Sequence, residues 1–197
     1  MTAVDLSSYA GLTAMILLTV NILLGLILST RYNPPRRWWP YGRRRVFDIH
    51  NWTAYIALGL VVLHPVLLLF SATAKFHVPD IILPLNSPGQ RLYNCFGAAA
   101  FYLVCFVVTT SYLRKRMTFR FWKAFHYVAY AAGAMLFLHG IIIDPNLKKQ
   151  SPDLLDGEKV LIEICALLVI TGSLVRIRYG AKIKRPAALK MEFDDTV

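Results

Sequence analysis

Four of the five histidines in this chain lie in strongly apolar stretches and form two pairs. His50 and His64 are fourteen residues apart, and His126 and His139 are thirteen apart, whereas His77 lies in a connecting segment. A neutral imidazole can bind a metal through one ring nitrogen, and in an apolar helix its ordinary alternative is a hydrogen bond to a neighbouring helix. The two pairs therefore indicate either ligation of a metal or haem, or structural hydrogen bonding.

The amino-acid composition indicates whether these histidines lie in a soluble protein or in a membrane protein. Of the 197 residues, 56% are hydrophobic and only 17% are charged, which is typical of an integral membrane protein. The net charge of +11 would suggest nucleic acid in a soluble chain, but the basic residues cluster between apolar segments. We therefore expect a lipid membrane and no nucleic acid as partner.

The apolar runs predict an all-α membrane helix bundle with five spans. A helix needs about 20 residues to cross the hydrocarbon layer, and its backbone must satisfy its own hydrogen bonds there. We expect residues 1–180 to form the transmembrane bundle and residues 181–197 a short cytoplasmic tail. The five predicted spans are residues 8–30, 47–73, 92–113, 122–143 and 159–177.

Lysine and arginine predict the orientation of the bundle. The first connection, the third connection and the C-terminal segment hold 17 of the 22 basic residues. Because positive charge favours the cytoplasmic side, we expect the N-terminus outside and the C-terminus in the cytoplasm.

This orientation arranges the histidines by depth. The second and fourth spans both run outward, so His50 and His126 lie at an inner level, and His64 and His139 at an outer level. The two levels are separated by about 20 Å along the helices. Polar groups at such depths are costly and usually functional, and a haem between two helices needs one histidine from each. The arrangement therefore favours two haems, one at each level.

The helical phase sets a condition on the fourth span. Fourteen residues make about 3.9 turns, which keeps His50 and His64 on one face of the helix. Thirteen residues make about 3.6 turns, so His126 and His139 would point to different sides of a straight helix. The fourth span must therefore bend or wind locally. Gly133 is one residue at which the helix could bend. Alternatively, the same glycine allows a close contact with a neighbouring helix.

Histidine pairs with this spacing and order, the first entered through Arg43, Arg44 and Arg45, resemble the ferric reductase-like transmembrane domain of ferric reductases and NADPH oxidases. The resemblance covers about residues 43–178, and the haem-binding membrane subunit of periplasmic methionine sulfoxide reductase is similar. It implies an inner haem b held by His50 and His126 and an outer haem b held by His64 and His139. It also implies electron transfer from a cytoplasmic reduced flavin or flavoprotein to an extracytoplasmic acceptor, either ferric iron or a periplasmic reductase.

Two differences from that family shape the expected activity. No glycine-rich nucleotide loop follows the fifth span, so we expect an electron-transfer subunit of an oxidoreductase that depends on a partner for flavin and NAD(P)H chemistry. Similar oxidases that make superoxide have a histidine one turn beyond the outer ligand, where this chain has Leu68. This difference argues against dedicated oxygen reduction.

We expect the protein in the inner, cytoplasmic membrane of a bacterium.

Basic residues near each level are candidate partners for the haem propionates, with interfacial anchoring as the alternative. Other functions remain open: a quinone-linked cytochrome b subunit, or a histidine-dependent metal or proton transporter. A transporter would usually add buried carboxylates, and apart from Asp48 at the start of the second span the only acidic residue within a predicted span is Glu163. The candidate propionate partners are Arg44, Arg45 and Lys123 at the inner level and Arg91, Lys75 and His77 at the outer level.

Overall fold

Helices make up nearly all of the regular structure in the computed structural model. It describes the backbone of residues 1–30, 43–143 and 153–194, and the side chains of residues 1–30, 45–143 and 153–180. Within these residues there is no β-strand, and two short 3₁₀ turns join helices at Pro84–Asn86 and Leu113–Arg116. The helices are α1 (Ala3–Ser29), α2 (Arg43–Leu68), α3 (Val78–Ile82), α4 (Arg91–Tyr112), α5 (Phe119–His126), α6 (Val128–Ile142) and α7 (Gly157–Asp194).

The five predicted spans are confirmed in number and order among the described residues. The first begins at Ala3, earlier than predicted, because Thr2 and Asp5 form a reciprocal cap. The Thr2 hydroxyl accepts from the Asp5 backbone N–H, and the Asp5 carboxylate accepts from the Thr2 backbone N–H. The backbone of α7 continues to Asp194, so most of the predicted tail is helical. The stretches long and apolar enough to cross a membrane are Ala3–Ser29, Arg45–Leu68, Arg91–Arg116, Phe119–Ile142 and Gly157–Gly180.

The fourth span contains the predicted irregularity, but not at Gly133. Helix α5 ends at His126 and α6 begins at Val128, with the Tyr127 N–H donating to the carbonyls of Lys123 and Ala124 in a tightened turn. Gly133 lies inside continuous α6, and a Cβ there would be 3.2 Å from Ile22 Cδ1. The bend at Gly133 was therefore a wrong prediction, and the alternative, a close contact with α1, is what the structure has.

The helices pack as a bundle with its apolar core on one side. Helix α1 runs antiparallel to α2 and also packs against α7, while α6 packs between α4 and α7. In the described part of the chain, direct contact between α2 and α6 is sparse. The two helices that carry three of the four histidines therefore stand apart. The core joins α1, α6 and α7 through Met15, Phe137, Ile162, Cys165 and Val169.

The outer surface of the bundle is apolar. On α7, Leu167 is 61% exposed, Ile170 55% and Leu174 53%. A water-soluble protein rarely leaves a continuous apolar surface of this kind, whereas lipid accommodates it. The exterior agrees with an integral membrane protein.

Candidate functional site

The inner level brings together His50 of α2 and His126, the last residue of α5. Their ring centroids are 6.1 Å apart and their planes make an angle of 64°. Since a bond from a metal to an imidazole nitrogen is about 2 Å long, and the ring centre lies about 1 Å further, two imidazoles on opposite sides of one metal have centroids about 6 Å apart. The observed separation fits two ligands of one metal.

The outer level brings together His64 of α2 and His139 of α6. Both line a cavity of about 260 Å³ between the helices. Leu68 also lines this cavity, one turn beyond His64, and Asn94 and Glu158 add polar groups to the wall. The structure therefore places each histidine with the partner that its depth predicted.

Helix α1 holds both histidines of α2 in the same way. The Nδ1 of His64 lies 2.8 Å from the Ser7 carbonyl oxygen, and the Nδ1 of His50 lies 3.0 Å from the Asn21 carbonyl oxygen. The side chains of Ser7 and Asn21 also bond the backbone of α2. Ser7 Oγ donates to the His64 carbonyl at 2.7 Å, and Asn21 Nδ2 donates to the His50 carbonyl at 2.5 Å. Because α1 and α2 are antiparallel, Ser7 and Asn21 repeat the fourteen-residue spacing of the histidines.

A glycine lies one turn after each of these carbonyls. A Cβ at Gly11 would be 3.0 Å from His64 Nδ1, and one at Gly25 would be 3.3 Å from His50 Cε1. These rings lie almost on the α1 backbone, which a larger residue would prevent.

His139 is held by the same arrangement on a different helix. Its Nδ1 lies 2.8 Å from the Tyr93 carbonyl oxygen of α4, and a Cβ at Gly97 would be 2.8 Å from its Cε1. A carbonyl followed four residues later by glycine thus recurs three times. The sequence interpretation missed this pattern, although Ser7 and Asn21, and likewise Gly11 and Gly25, share the spacing of His50 and His64.

These contacts fix the tautomer of three imidazoles. A carbonyl oxygen only accepts hydrogen bonds, so the Nδ1 of His50, His64 and His139 must carry a proton. In a neutral imidazole the lone pair is then on Nε2, the atom that can bind a metal.

His126 has different surroundings. Its Nδ1 lies 3.2 Å from Ser111 Oγ, a hydroxyl that can donate or accept. Its ring stacks on Trp122, with centroids 5.1 Å apart and planes inclined by 25°. His126 is therefore confined by the side chain of Trp122, whereas each of the other three histidines lies against a glycine.

The donor set fits haem iron better than a bare metal ion. Among the described residues, no group of three or more histidine, cysteine or acidic side chains is placed to hold a metal. A protein-bound zinc ion usually takes three or four protein ligands. Haem iron is already bound by the four porphyrin nitrogens and needs only axial ligands from the protein, so a pair of histidines is sufficient.

The candidate propionate partners lie at the surface, as far as the structure describes them. Arg45, Arg91 and Lys123 are exposed, and Lys123 Nζ lies 5.8 Å from the centre of the Tyr127 ring. The side chain of Arg44 is outside the described residues. Lys75 and His77 are also exposed, and His77 Nδ1 is 3.5 Å from the Asp80 carboxylate.

Lys159 is a buried cation that the sequence analysis did not single out. Its side chain is 4% exposed, and Nζ donates to the carbonyls of Gly140, at 2.7 Å, and of Ile143. These carbonyls lie at the C-terminal end of α6, directly after His139. A lysine at this position satisfies helix-end acceptors and ties α7 to the helix that carries the outer histidine.

Fold and site together define a polytopic helical membrane protein with two intramembrane histidine pairs. The sequence profile of the ferric reductase-like transmembrane component matches residues 10–137, and the chain belongs to that family. The matched region includes His50, His64 and His126 and ends two residues before His139. No curated protein sequence matches the chain.

Proposed function

We propose that this protein is a di-haem b-type cytochrome that carries electrons across the membrane. The observation that carries the proposal is the pairing of histidines at two levels, with three of the four Nδ1 atoms bonded to backbone carbonyls. This bonding leaves Nε2 as the ligating atom. Membership of the ferric reductase-like family supports the same function.

Each residue of the site has a defined task in this proposal. His50 and His126 bind the inner haem iron, and His64 and His139 the outer one. When bound, haem supplies reversible one-electron chemistry at each level. The carbonyls of Ser7, Asn21 and Tyr93 keep the imidazoles oriented and raise their basicity as ligands.

The charge distribution supports outward electron flow from a cytoplasmic donor. Exposed basic residues crowd the end of the bundle nearest the inner pair, which the positive-inside rule assigns to the cytoplasm. This surface would attract a reduced flavin or an acidic flavoprotein, and it is the site at which a partner that supplies the flavin would bind. We place the protein in a bacterial cytoplasmic membrane and the acceptor, ferric iron or a periplasmic reductase, outside it. The exposed basic residues are Arg114, Lys115, Arg116, Arg120 and Lys123.

The test is a haem measurement on the purified protein with single-histidine variants. The wild type should show a low-spin b-type spectrum and about two haems per chain in the pyridine haemochrome assay. His64→Ala or His139→Ala should remove the outer haem, and His50→Ala or His126→Ala the inner one, while His77→Ala should retain both. A colourless wild type, after expression with ample haem, would refute the proposal.

The donor is tested with the same preparation. Reduced flavin should reduce the haems rapidly, and a quinol should not. Reduction by quinol alone would instead indicate the quinone-linked cytochrome b alternative.

A further inference from the structure

Trp122 carries a buried N–H group that has no acceptor among the described residues. Its Nε1 atom is inaccessible to solvent and makes no hydrogen bond to any described residue. Buried polar groups are nearly always paired, and an indole N–H can only donate. The position therefore calls for an acceptor that is not one of these side chains or carbonyls.

The surroundings of Trp122 favour an anionic acceptor. The Arg114 guanidinium carbon lies 4.4 Å from the centre of the indole ring. A cation over the ring draws electron density from it, so the N–H becomes a stronger donor to negative charge.

Trp122 is also part of the inner site. It precedes His126 by four residues on α5, which places both on the same face of the helix, and the two rings stack. Any group bound between His50 and His126 therefore comes close to the indole.

We propose that the Nε1–H of Trp122 donates a hydrogen bond to a propionate carboxylate of the inner haem, with Arg114 supplying positive charge behind the ring. This inference rests on the proposed function, because haem b is the group that brings a carboxylate to this level. It adds Trp122 to the binding residues, whereas the predicted propionate partners at the inner level were only basic side chains.

The bond has a consequence for the inner haem. A donor to the carboxylate offsets part of its negative charge, and negative charge near the iron favours the oxidised state. Removing the donor should therefore lower the reduction potential of the inner haem and leave the outer haem unchanged.

The experiment replaces the indole by a ring that lacks the donor. Trp122→Phe should retain two haems and lower the reduction equilibrium constant of the inner haem by threefold to tenfold, where tenfold corresponds to 59 mV for one electron. Redox-induced infrared difference spectra should show a shifted carboxylate band. The matched control is Trp52→Phe, which removes a 67% exposed indole two residues from His50 and should change neither property.

Several outcomes would overturn the inference. In Trp122→Phe, an unchanged inner potential together with an unchanged carboxylate band would show that the N–H does not bind the haem. If Trp122→Phe instead loses the inner haem, Trp122→His, which keeps a ring N–H, should restore it, and failure of both variants would show that only the shape of the indole matters. Absence of haem from the wild type would refute the proposed function itself and is seen before any variant is made.

Discussion

His139 is the most closely confined of the three histidines that lie against a glycine. Its ring rests on Gly97 and its Nδ1 donates to the Tyr93 carbonyl one turn earlier. Both restraints come from the backbone of α4, so they are insensitive to side-chain rotation. The ring of His139 is therefore held in one orientation by the protein itself, which would favour the affinity of the proposed haem site.

Adding one methyl group at Gly97 should disrupt the outer site. In Gly97→Ala the Cβ would lie 2.8 Å from His139 Cε1 and 2.9 Å from its Nδ1, so the ring must move. We expect the pyridine haemochrome assay to fall from two haems per chain to one.

The control for this change is Gly59→Ala on α2, where a Cβ meets nothing within 4 Å. This variant should keep both haems and gain up to about 1 kcal/mol of helix stability. Two haems with unaltered potentials in Gly97→Ala would contradict the role given to the glycine.

At the level of residues, sequence reasoning found the four candidate histidines but not the groups that hold them. The four histidines were recognisable because an imidazole in an apolar helix is rare and their spacings match. Nothing in the sequence shows which groups Ser7 and Asn21 bond, because their partners depend on how α1 lies against α2. Trp122 and Lys159 were hidden for a similar reason, since burial of their polar atoms is a property of the folded bundle.

At the level of elements, the docking of α1 onto α2 depends on a few polar contacts. Ser7 is only 1% exposed, and its hydroxyl donates to a carbonyl of the other helix. Between membrane helices, hydrophobic burial contributes little, so packing and such hydrogen bonds must hold the pair.

Removing the Ser7 hydroxyl should weaken this pair of helices. We expect Ser7→Ala to lower the free energy of unfolding by about 0.6–1.7 kcal/mol, the range for hydrogen bonds between membrane helices. The measurement is reversible unfolding in mixed detergent micelles. Thr13→Ala is the matched control, because the Thr13 hydroxyl donates to the Tyr9 carbonyl of its own helix. Equal losses in the two variants would show that the contact between helices has no special role.

The end of α6 provides a second test. Lys159→Met keeps the apolar stem but leaves the carbonyls of Gly140 and Ile143 without their charged donor. We expect a loss of about 1.5–3 kcal/mol in the free energy of unfolding and weaker retention of the outer haem than of the inner one. Lys115→Met, at an exposed lysine, is the control. Equal loss of both haems would argue against a local effect at α6.

The phase of the histidines predicted that the fourth span is irregular, but not where. The thirteen-residue interval required a change in winding somewhere between His126 and His139, and Gly133 was the residue that most easily permits one. The break occurs at Tyr127, which has no glycine or proline beside it. Gly133 lies inside α6 and close to Ile22 of α1, a contact that is a property of the packed structure.

At the level of the whole molecule, the two histidine levels lie at opposite ends of the bundle. The α4–α5 connection, which carries Arg114, Lys115 and Arg116, is at the His126 end, whereas α3 and residue Lys75 are at the His64 end. The basic end should face the cytoplasm.

The orientation can be measured by cysteine labelling in intact cells. In a variant whose three cysteines are replaced by serine, Lys75→Cys should react with a membrane-impermeant maleimide added outside, because Lys75 is exposed. Lys115→Cys, also exposed, should react only after permeabilisation. The reverse pattern would place the inner pair on the outside and invert the direction proposed for electron flow.

The repeated contacts between α1 and α2 also bear on how the chain is made. During synthesis α1 enters the membrane before α2, which follows as its hairpin partner. Ser7 and Asn21 are then already present when His64 and His50 arrive, so each imidazole N–H finds an acceptor before α6 or a cofactor exists. The nascent hairpin would therefore have both imidazole N–H groups bonded and both rings oriented while the remaining spans are still being synthesised.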